Sequence, residues 1–244
     1  MLLWENSEQF KLEDNKELMK KIEKIGKEVI EAYNTPKVLH DAEGGRYWYK
    51  HFKKWEYPLA YAWINGLKKE TGRKCLKIMD FGCWLSPFPE FLCREGHKVW
   101  GVDNDDWGYI KNIDVSKHYP HVNYFIDDIE KLQERDFDAI ISCSVLEHIP
   151  STSCMDILRK MRGMLKTDGK MMHIVDFYFP EKPRKEGKRK NFYAIAQALG
   201  FSIGDLKYCP NSPEFDLETV KKSMNFGYPQ WNESRIAIGD DVEI

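Results

Sequence analysis

Residues 77–103 constrain the fold more than any other segment, because they combine two apolar runs, a tight turn and a closing carboxylate. The first run ends at Asp80, Gly82 makes the turn, Gly96 ends a short helical segment, and the second run closes on Asp103. This order is typical of a βαβ unit. In such units an acidic residue about twenty positions after the glycine turn binds the ribose hydroxyls of an adenosine-containing cofactor. We therefore expect a parallel sheet with a cofactor site at its carboxyl edge.

Composition narrows the class of protein. The chain has 244 residues, of which 42% are hydrophobic and 31% charged, and it is long enough for one domain with a sizeable core. The net charge of −2 gives no general attraction to nucleic acid or to an anionic membrane. The first residues lack the pattern of a signal peptide, and no segment has the eighteen or so apolar residues of a membrane span. These features predict a soluble, cytoplasmic protein.

The six cysteines are scattered along the chain, with no CxxC pair and no zinc-ligand spacing. They are therefore expected to be reduced thiols, and no metal site is predicted.

Three stretches differ in their patterns. Residues 1–72 are expected to form a helical, aromatic-rich cap, which either packs against the main sheet or closes over the cofactor or substrate. Residues 73–244 are expected to form the main domain, in which strands and helices alternate as far as residue 176. The predicted fold class is α/β: a Rossmann-like, doubly wound, mostly parallel seven-stranded sheet with an N-terminal helical cap. Its strands are predicted at 76–79, 99–102, 122–126, 139–143, 171–175, 201–206 and 235–238.

The glycine turn discriminates between cofactors. A nicotinamide or flavin site needs the GxGxxG pattern, so that the backbone can approach a pyrophosphate, and here the turn carries only Gly82. A cofactor without phosphates does not need the further glycines.

At this point the sequence resembles the class I S-adenosylmethionine-dependent methyltransferases. The run Asp80-Phe81-Gly82-Cys83-Trp84 looks like the first motif of that family, and Asp103 matches its acidic ribose ligand. Residues 125–129 match the acidic motif on the adenine side, residues 137–149 the fourth-strand segment, and residues 164–170 the junction after it. One departure is Trp84, which stands where the family usually has a second glycine.

The resemblance implies S-adenosyl-L-methionine as the cofactor and assigns its contacts. Asp103 would bind the ribose, Asp127 or Asp128 the adenine amino group while the other caps the next turn, and Cys143 with Ser144 would line the sulfonium side. The full set of expected cofactor-binding residues is Asp80, Gly82, Cys83, Trp84, Asp103, Asn104, Asp127, Asp128, Ile129, Cys143 and Ser144.

Methyl transfer needs a general base only if the acceptor must lose a proton. His148, with Glu147, is the best candidate, although a histidine here could also simply cap its helix. The weaker candidates are His40, His51, Tyr57 and Asp176, of which Tyr57 and Asp176 are also expected to contact substrate.

The acceptor is predicted only by class, as a small molecule or a sugar-like compound. The basic run at 182–190 is either a solvated loop or a site for an anionic acceptor. Two alternatives remain open: a non-catalytic S-adenosylmethionine-binding partner subunit, and an NAD-linked sugar-nucleotide enzyme. No nucleic-acid or membrane partner is expected, and the sequence leaves the oligomeric state open.

Overall fold

The computed structural model describes residues 2–4, 16–33, 53–105, 115–178 and 233–239. The helices are α1 (Lys16–Tyr33), α2 (Lys53–Thr71), α3 (Phe88–Arg94), α4 (Val115–His118) and α5 (Ser151–Arg162), with 3₁₀ turns at Ile129–Lys131 and Leu146–His148. The strands are β1 (Leu2–Trp4), β2 (Lys77–Phe81), β3 (Lys98–Asp103), β4 (Asn123–Ile126), β5 (Phe137–Cys143), β6 (Leu165–Tyr178) and β7 (Glu233–Gly239).

These strands form one sheet in the order β1-β7-β6-β5-β2-β3-β4. Five neighbouring strands, β6, β5, β2, β3 and β4, are parallel to one another. Strand β7 runs antiparallel to its two neighbours, β6 and β1. The chain builds outward from β2 through β3 to β4 and then returns to the other side of β2 with β5. The topological switch point therefore lies between β2 and β5. The predicted α/β, Rossmann-like parallel core is confirmed.

The far edge of the sheet differs from the prediction. Leu2–Trp4 pairs with β7, with Leu3 opposite Ala237, although three residues are too few to show a strand periodicity in sequence. The strand predicted at 201–206 lies outside the described residues. Among the described residues the sheet has seven strands, of which β1 is the one that the sequence did not predict, and the strand predicted at 201–206 stays a prediction.

Helix α5 ends earlier than its sequence suggests. The run Thr167-Asp168-Gly169 has the pattern of a helix C-terminus and predicts that the helix extends to it, but α5 stops at Arg162 and Gly163 follows it as the C-cap. Gly169 instead lies in β6, where a Cβ atom would come within 2.6 Å of the Phe137 carbonyl oxygen. A residue without a side chain is therefore needed at position 169, where β5 and β6 approach each other closely.

One hydrophobic cluster joins the N-terminal helices to the sheet. The α1 stripe buries Ile22 and Ile25, and α2 buries Trp63 and Ile64 against the same face of the sheet as Ile78. The aromatic side chains described on α2 therefore take part in core packing. A separate cap formed by residues 1–72 stays a prediction. Within the described ranges, no helix combines the length and apolar content needed to cross a bilayer.

Candidate functional site

Asp103 ends β3 and connects two loops at the carboxyl edge of the sheet. Its Oδ2 atom accepts a hydrogen bond from the Trp84 backbone N–H at 2.8 Å, and its Oδ1 atom accepts one from the Asp105 N–H at 2.8 Å. A carboxylate oxygen can accept more than one hydrogen bond. The residue predicted to bind ribose thus also holds the turn after β2 in place. Asn104, beside it, is exposed.

Asp80 lies near the end of β2 and is only 3% exposed. Burial raises the pKa of its carboxyl group, the ammonium group of Lys53 lowers it, and the charge of Asp103 raises it, with a net pKa of about 7. Two carboxylates on adjacent strands therefore face the same small region, and the inner one is partly protonated near neutral pH.

The turn after β2 is built from left-handed residues. Gly82 has a φ of 72°, and a Cβ atom there would lie 2.4 Å from both Cγ atoms of Val145. Trp84 has a φ of 43° although it is not a glycine, so the departure from the family pattern introduces strain but keeps the turn. The Cys83 side chain is buried and packs against Gly101 of β3, where burial raises the pKa of its thiol well above the usual value.

The two aspartates after β4 have different roles. The Asp128 carboxylate caps the 3₁₀ turn by accepting a hydrogen bond from the Glu130 N–H at 3.0 Å. The Asp127 carboxylate accepts two hydrogen bonds from the Lys131 ammonium group, at 2.8 and 3.0 Å. Of the two, Asp127 is therefore the better placed to contact an adenine. Ile129 is buried in the core on the opposite face of the sheet from α2.

The end of β5 is held by α2, through residues that the sequence analysis did not single out. The Ser144 hydroxyl donates to Glu56 Oε1 at 2.8 Å, and the Lys53 ammonium group donates to the Cys143 carbonyl at 3.2 Å and to Ser144 Oγ at 3.3 Å. Lys53 also pairs with Glu56 Oε2. Both charged side chains are buried, and Ser144 has a φ of 58°.

Sequence patterns could not have identified this pair. Lys53 and Glu56 stand three positions apart on a helix, which usually indicates an exposed surface pair. Their contacts with Cys143 and Ser144 cross about ninety positions of sequence. The one available signal was the density of aromatic residues around them, which indicates that this part of α2 is buried.

Tyr57, predicted to contact substrate, belongs to the core. Its hydroxyl lies 2.7 Å from Ser86 Oγ, and its ring stacks on Phe88 with centroids 4.5 Å apart. Burial raises the pKa of its hydroxyl well above the usual value. Asp176 lies in β6 opposite Arg235 of β7. His40, His51 and the basic run at 182–190 lie outside the described residues.

The candidate base, His148, follows β5 in the 3₁₀ turn at Leu146–His148. Its side chain is 53% exposed, and its Nε2 atom lies 3.9 Å from Oε1 of the buried Glu147. An exposed imidazole supported by a buried carboxylate can accept a proton from a bound acceptor. No cluster of potential metal ligands occurs in the part of the chain that the structure describes.

These residues fit the cofactor that the sequence suggested. Asp80 and Asp103 lie at the carboxyl ends of β2 and β3, and Asp127 follows β4, so that three carboxylates at this edge can accept hydrogen bonds from the N–H and O–H groups of such a cofactor. Buried carboxylates also favour a ligand that carries positive charge, as a sulfonium cofactor does.

Comparisons with known proteins indicate a methyltransferase domain in the middle of the chain. The family model for a methyltransferase domain matches residues 78–169. A ubiquinone biosynthesis O-methyltransferase from Pelagibacter ubique is 29% identical over 104 residues, which are 40% of this chain and 41% of that protein. The match thus spans about two fifths of the relative's length.

Two solved structures resemble about two thirds of the chain more loosely. A TehB-like S-adenosylmethionine-dependent methyltransferase from Corynebacterium glutamicum is 20% identical, with a TM-score of 0.42 over 67% of this chain and 81% of that one. The 1,6-didemethyltoxoflavin-N1-methyltransferase of Burkholderia thailandensis is 17% identical, with a TM-score of 0.42 over 63% of this chain and 62% of that one.

The chain therefore carries a methyltransferase domain of the class I, S-adenosylmethionine-dependent type, and the resemblance seen in the sequence is confirmed. S-adenosyl-L-methionine is the cofactor of this class, and when bound it supplies a methyl group on an already activated sulfonium.

Proposed function

We propose that this chain is an S-adenosyl-L-methionine-dependent methyltransferase that modifies a small-molecule or sugar-like acceptor. The observation that carries the proposal is the pair of carboxylates, Asp80 and Asp103, beside the switch point and inside the segment that matches the methyltransferase domain. A turn with a single glycine, Gly82, argues against a pyrophosphate ligand at the same place.

In this proposal the residues of the chain mainly bind and orient. The Asp103 carboxylate accepts hydrogen bonds from the ribose hydroxyls, and the Asp127 carboxylate accepts one from the adenine amino group. Cys143 and Ser144 line the sulfonium side of the cofactor. Geometry alone supplies effective molarities of about 10⁵ M or more, so that positioning accounts for much of the rate. His148, supported by Glu147, removes a proton where the acceptor has one to lose.

A screen of candidate methyl acceptors is needed to identify the acceptor class. Oxygen acceptors come first, because the relative from Pelagibacter ubique is named as an O-methyltransferase. Anionic acceptors come second, because the basic run at 182–190 follows β6, the last parallel strand.

Thermal unfolding with three ligands tests the cofactor assignment. S-adenosylmethionine, S-adenosylhomocysteine and NADH are each added near millimolar concentration. A ligand at one hundred times its Kd stabilises the folded state by about 2.7 kcal/mol, which is easily seen as a shift in Tm. We expect stabilisation by the two adenosyl-sulfur ligands and none by NADH.

The other outcomes separate the alternatives. Stabilisation by NADH alone would favour the sugar-nucleotide enzyme and contradict the proposal. Binding of both sulfur ligands without methyl transfer to any oxygen, nitrogen or carbon acceptor in the screen would favour a non-catalytic partner subunit.

A further inference from the structure

An ammonium group already lies at the switch point of the sheet, where ligands of such folds bind. It belongs to Lys53, and its acceptors are the Cys143 carbonyl, the Ser144 hydroxyl and the Glu56 carboxylate. Asp80 is close enough for the Lys53 charge to affect the pKa of its carboxyl group. We call the three oxygen-bearing groups of Glu56, Cys143 and Ser144 the ammonium cradle.

Helix stability does not explain this arrangement. Lys53 is the first residue of α2, where the helix dipole disfavours a positive charge, and it precedes Glu56, which is the less favourable order for a helical ion pair. Besides its pair with Glu56, Lys53 therefore gains favourable contacts from the end of β5 and not from the dipole of its own helix.

Global stability explains it poorly as well. Glu56 is 0% exposed, and a buried ion pair loses so much hydration that well-packed apolar residues often replace it without loss of stability. The pair also contacts Ser144, which is in a strained left-handed conformation, and such strain concentrates at ligand sites.

We propose that Lys53 occupies the cofactor's ammonium site when no cofactor is bound, an inference that rests on the proposed function. When the cofactor binds, its ammonium group replaces the Lys53 ammonium group in the cradle. Glu56 is then a direct cofactor ligand, and it keeps a positive partner in both states. The flexible four-carbon stem of lysine lets its charge move to solvent while the backbone of α2 stays in place. Cofactor binding thereby changes the environment of the first turn of α2.

The exchange is tested in the wild-type protein by acylating its lysines with N-hydroxysuccinimidyl acetate, with and without saturating S-adenosylhomocysteine. Mass spectrometry then measures the modification of each lysine. We expect Lys53 to be modified at least about threefold faster when the ligand is bound, because its amine leaves the cradle for solvent. Lys170 is the matched control, since it is 17% exposed, pairs with Glu70 and lies in the early part of β6.

Substitutions of Lys53 and Glu56 should change the affinity for S-adenosylhomocysteine in opposite directions. If Lys53 fills the cradle about nine tenths of the time, its removal in Lys53→Met should tighten S-adenosylhomocysteine binding by about tenfold. Glu56→Gln should weaken it, and Lys170→Met should leave it unchanged. The double variant Lys53→Met/Glu56→Leu, which removes both charges, should fold but bind poorly.

Two results would overturn the exchange while leaving the proposed function intact. One is unchanged or slower modification of Lys53 at a ligand concentration that raises Tm. The other is a loss of affinity in Lys53→Met as large as that in Glu56→Gln, which would make Lys53 itself a cofactor ligand. If neither adenosyl-sulfur ligand raises Tm at all, the exchange and the proposed function are both wrong.

Discussion

Asp80 and Asp103 belong to adjacent parallel strands, but they differ in exposure and in their contacts. Asp80 is buried, and the pKa of its carboxyl group is raised to about 7, whereas Asp103 is less buried and accepts hydrogen bonds from two backbone N–H groups. A buried carboxyl group with a raised pKa beside a second carboxylate is typical of ligand and catalytic sites.

We expect Asp80→Asn to flatten the dependence of stability on pH. The pKa of Asp80 in the folded state, about 7, lies above its usual value of 3.8. The contribution of this carboxyl to stability is therefore fully present below about pH 4 and is lost as the pH rises to about 7. Tm measured between pH 5 and 8 should fall less in the variant than in the wild type. Asp156→Asn, at an exposed position, is the control, and an identical profile for all three proteins would contradict the assignment.

Asp103→Ala should reduce both cofactor affinity and stability. Charge-assisted hydrogen bonds contribute about 1.5–3 kcal/mol each, so the loss of the ribose contacts should weaken binding by roughly tenfold to several hundredfold. The Trp84 and Asp105 N–H groups also lose their acceptor, which should lower Tm. Calorimetric titration with S-adenosylhomocysteine at a temperature well below Tm separates the two effects. Unchanged affinity would exclude Asp103 as the ribose ligand.

At the scale of elements, strain concentrates where strands end. Of the four non-glycine residues with positive φ in the described part of the chain, Trp84, Asp105 and Ser144 follow β2, β3 and β5 at the carboxyl edge of the sheet, and Asp136 precedes β5 at the amino edge. Each such conformation costs about 1–3 kcal/mol and persists only where neighbouring contacts enforce it. Asp103 supplies those contacts for Trp84 and Asp105, and Glu56 supplies them for Ser144.

The turn after β2 allows a comparison between two glycines. Gly82 and Gly72 have similar φ values of 72° and 66°, but only Gly82 has neighbours within reach of an added Cβ. Gly72→Ala should cost about 1–2 kcal/mol for its backbone conformation. Gly82→Ala should cost a further 1–3 kcal/mol or so, because its methyl group overlaps Val145. Denaturant unfolding measures both, and Val145→Ala should recover part of the loss in Gly82→Ala. Equal losses in the two glycine variants would contradict this account.

The 3₁₀ turn after β5 carries the candidate base. If the acceptor must lose a proton, His148→Ala should lower kcat by about 10²–10⁴-fold while the affinity for S-adenosylhomocysteine stays the same. The exposed His121, which pairs with Glu90 away from this turn, provides the control variant His121→Ala. Full turnover in His148→Ala with an acceptor that has a proton to lose would exclude the base role.

At the scale of the whole molecule, the residues at the amino edge of the sheet mainly stabilise the fold, and those at the carboxyl edge form the candidate site. The amino edge carries a charge network around the buried Asp138, which accepts hydrogen bonds from the Arg73 guanidinium, the Lys166 ammonium and the Lys77 backbone N–H. These contacts join the beginnings of β2, β5 and β6. The carboxyl edge carries the strained turns and the buried carboxylates of the candidate site.

Asp138→Asn should therefore destabilise the fold without altering cofactor affinity. Removal of one partner from a buried charge pair costs about 3–5 kcal/mol, and here the lower end applies because both cations are a third exposed. Asp168→Asn removes an exposed partner of the same Arg73, where solvent screens the charge, and should destabilise the fold much less than Asp138→Asn. Denaturant unfolding and ligand titration test the two claims, and a large loss of affinity in folded Asp138→Asn would contradict the division.

Local patterns in the sequence predicted the parallel core and the acidic residues at the ends of β2, β3 and β4. These features are readable because apolar runs, glycine turns and helix caps act within a few residues. The same reasoning misplaced the end of α5, because Gly169 matches a C-cap in sequence but meets the Phe137 carbonyl in the fold. It also missed β1, which is too short to show a period.

By itself, the sequence determined the class of fold, the edge of the sheet that carries the site, and the carboxylates at that edge. Only the tertiary structure decided that Lys53 and Glu56 reach Ser144, that Asp128 caps a turn while Asp127 does not, and that Tyr57 faces the core. The physical reason is range. Periodicity and turn chemistry report interactions between near neighbours, whereas the burial of a charge depends on which surface a helix packs against, and contacts about ninety positions apart fix that surface.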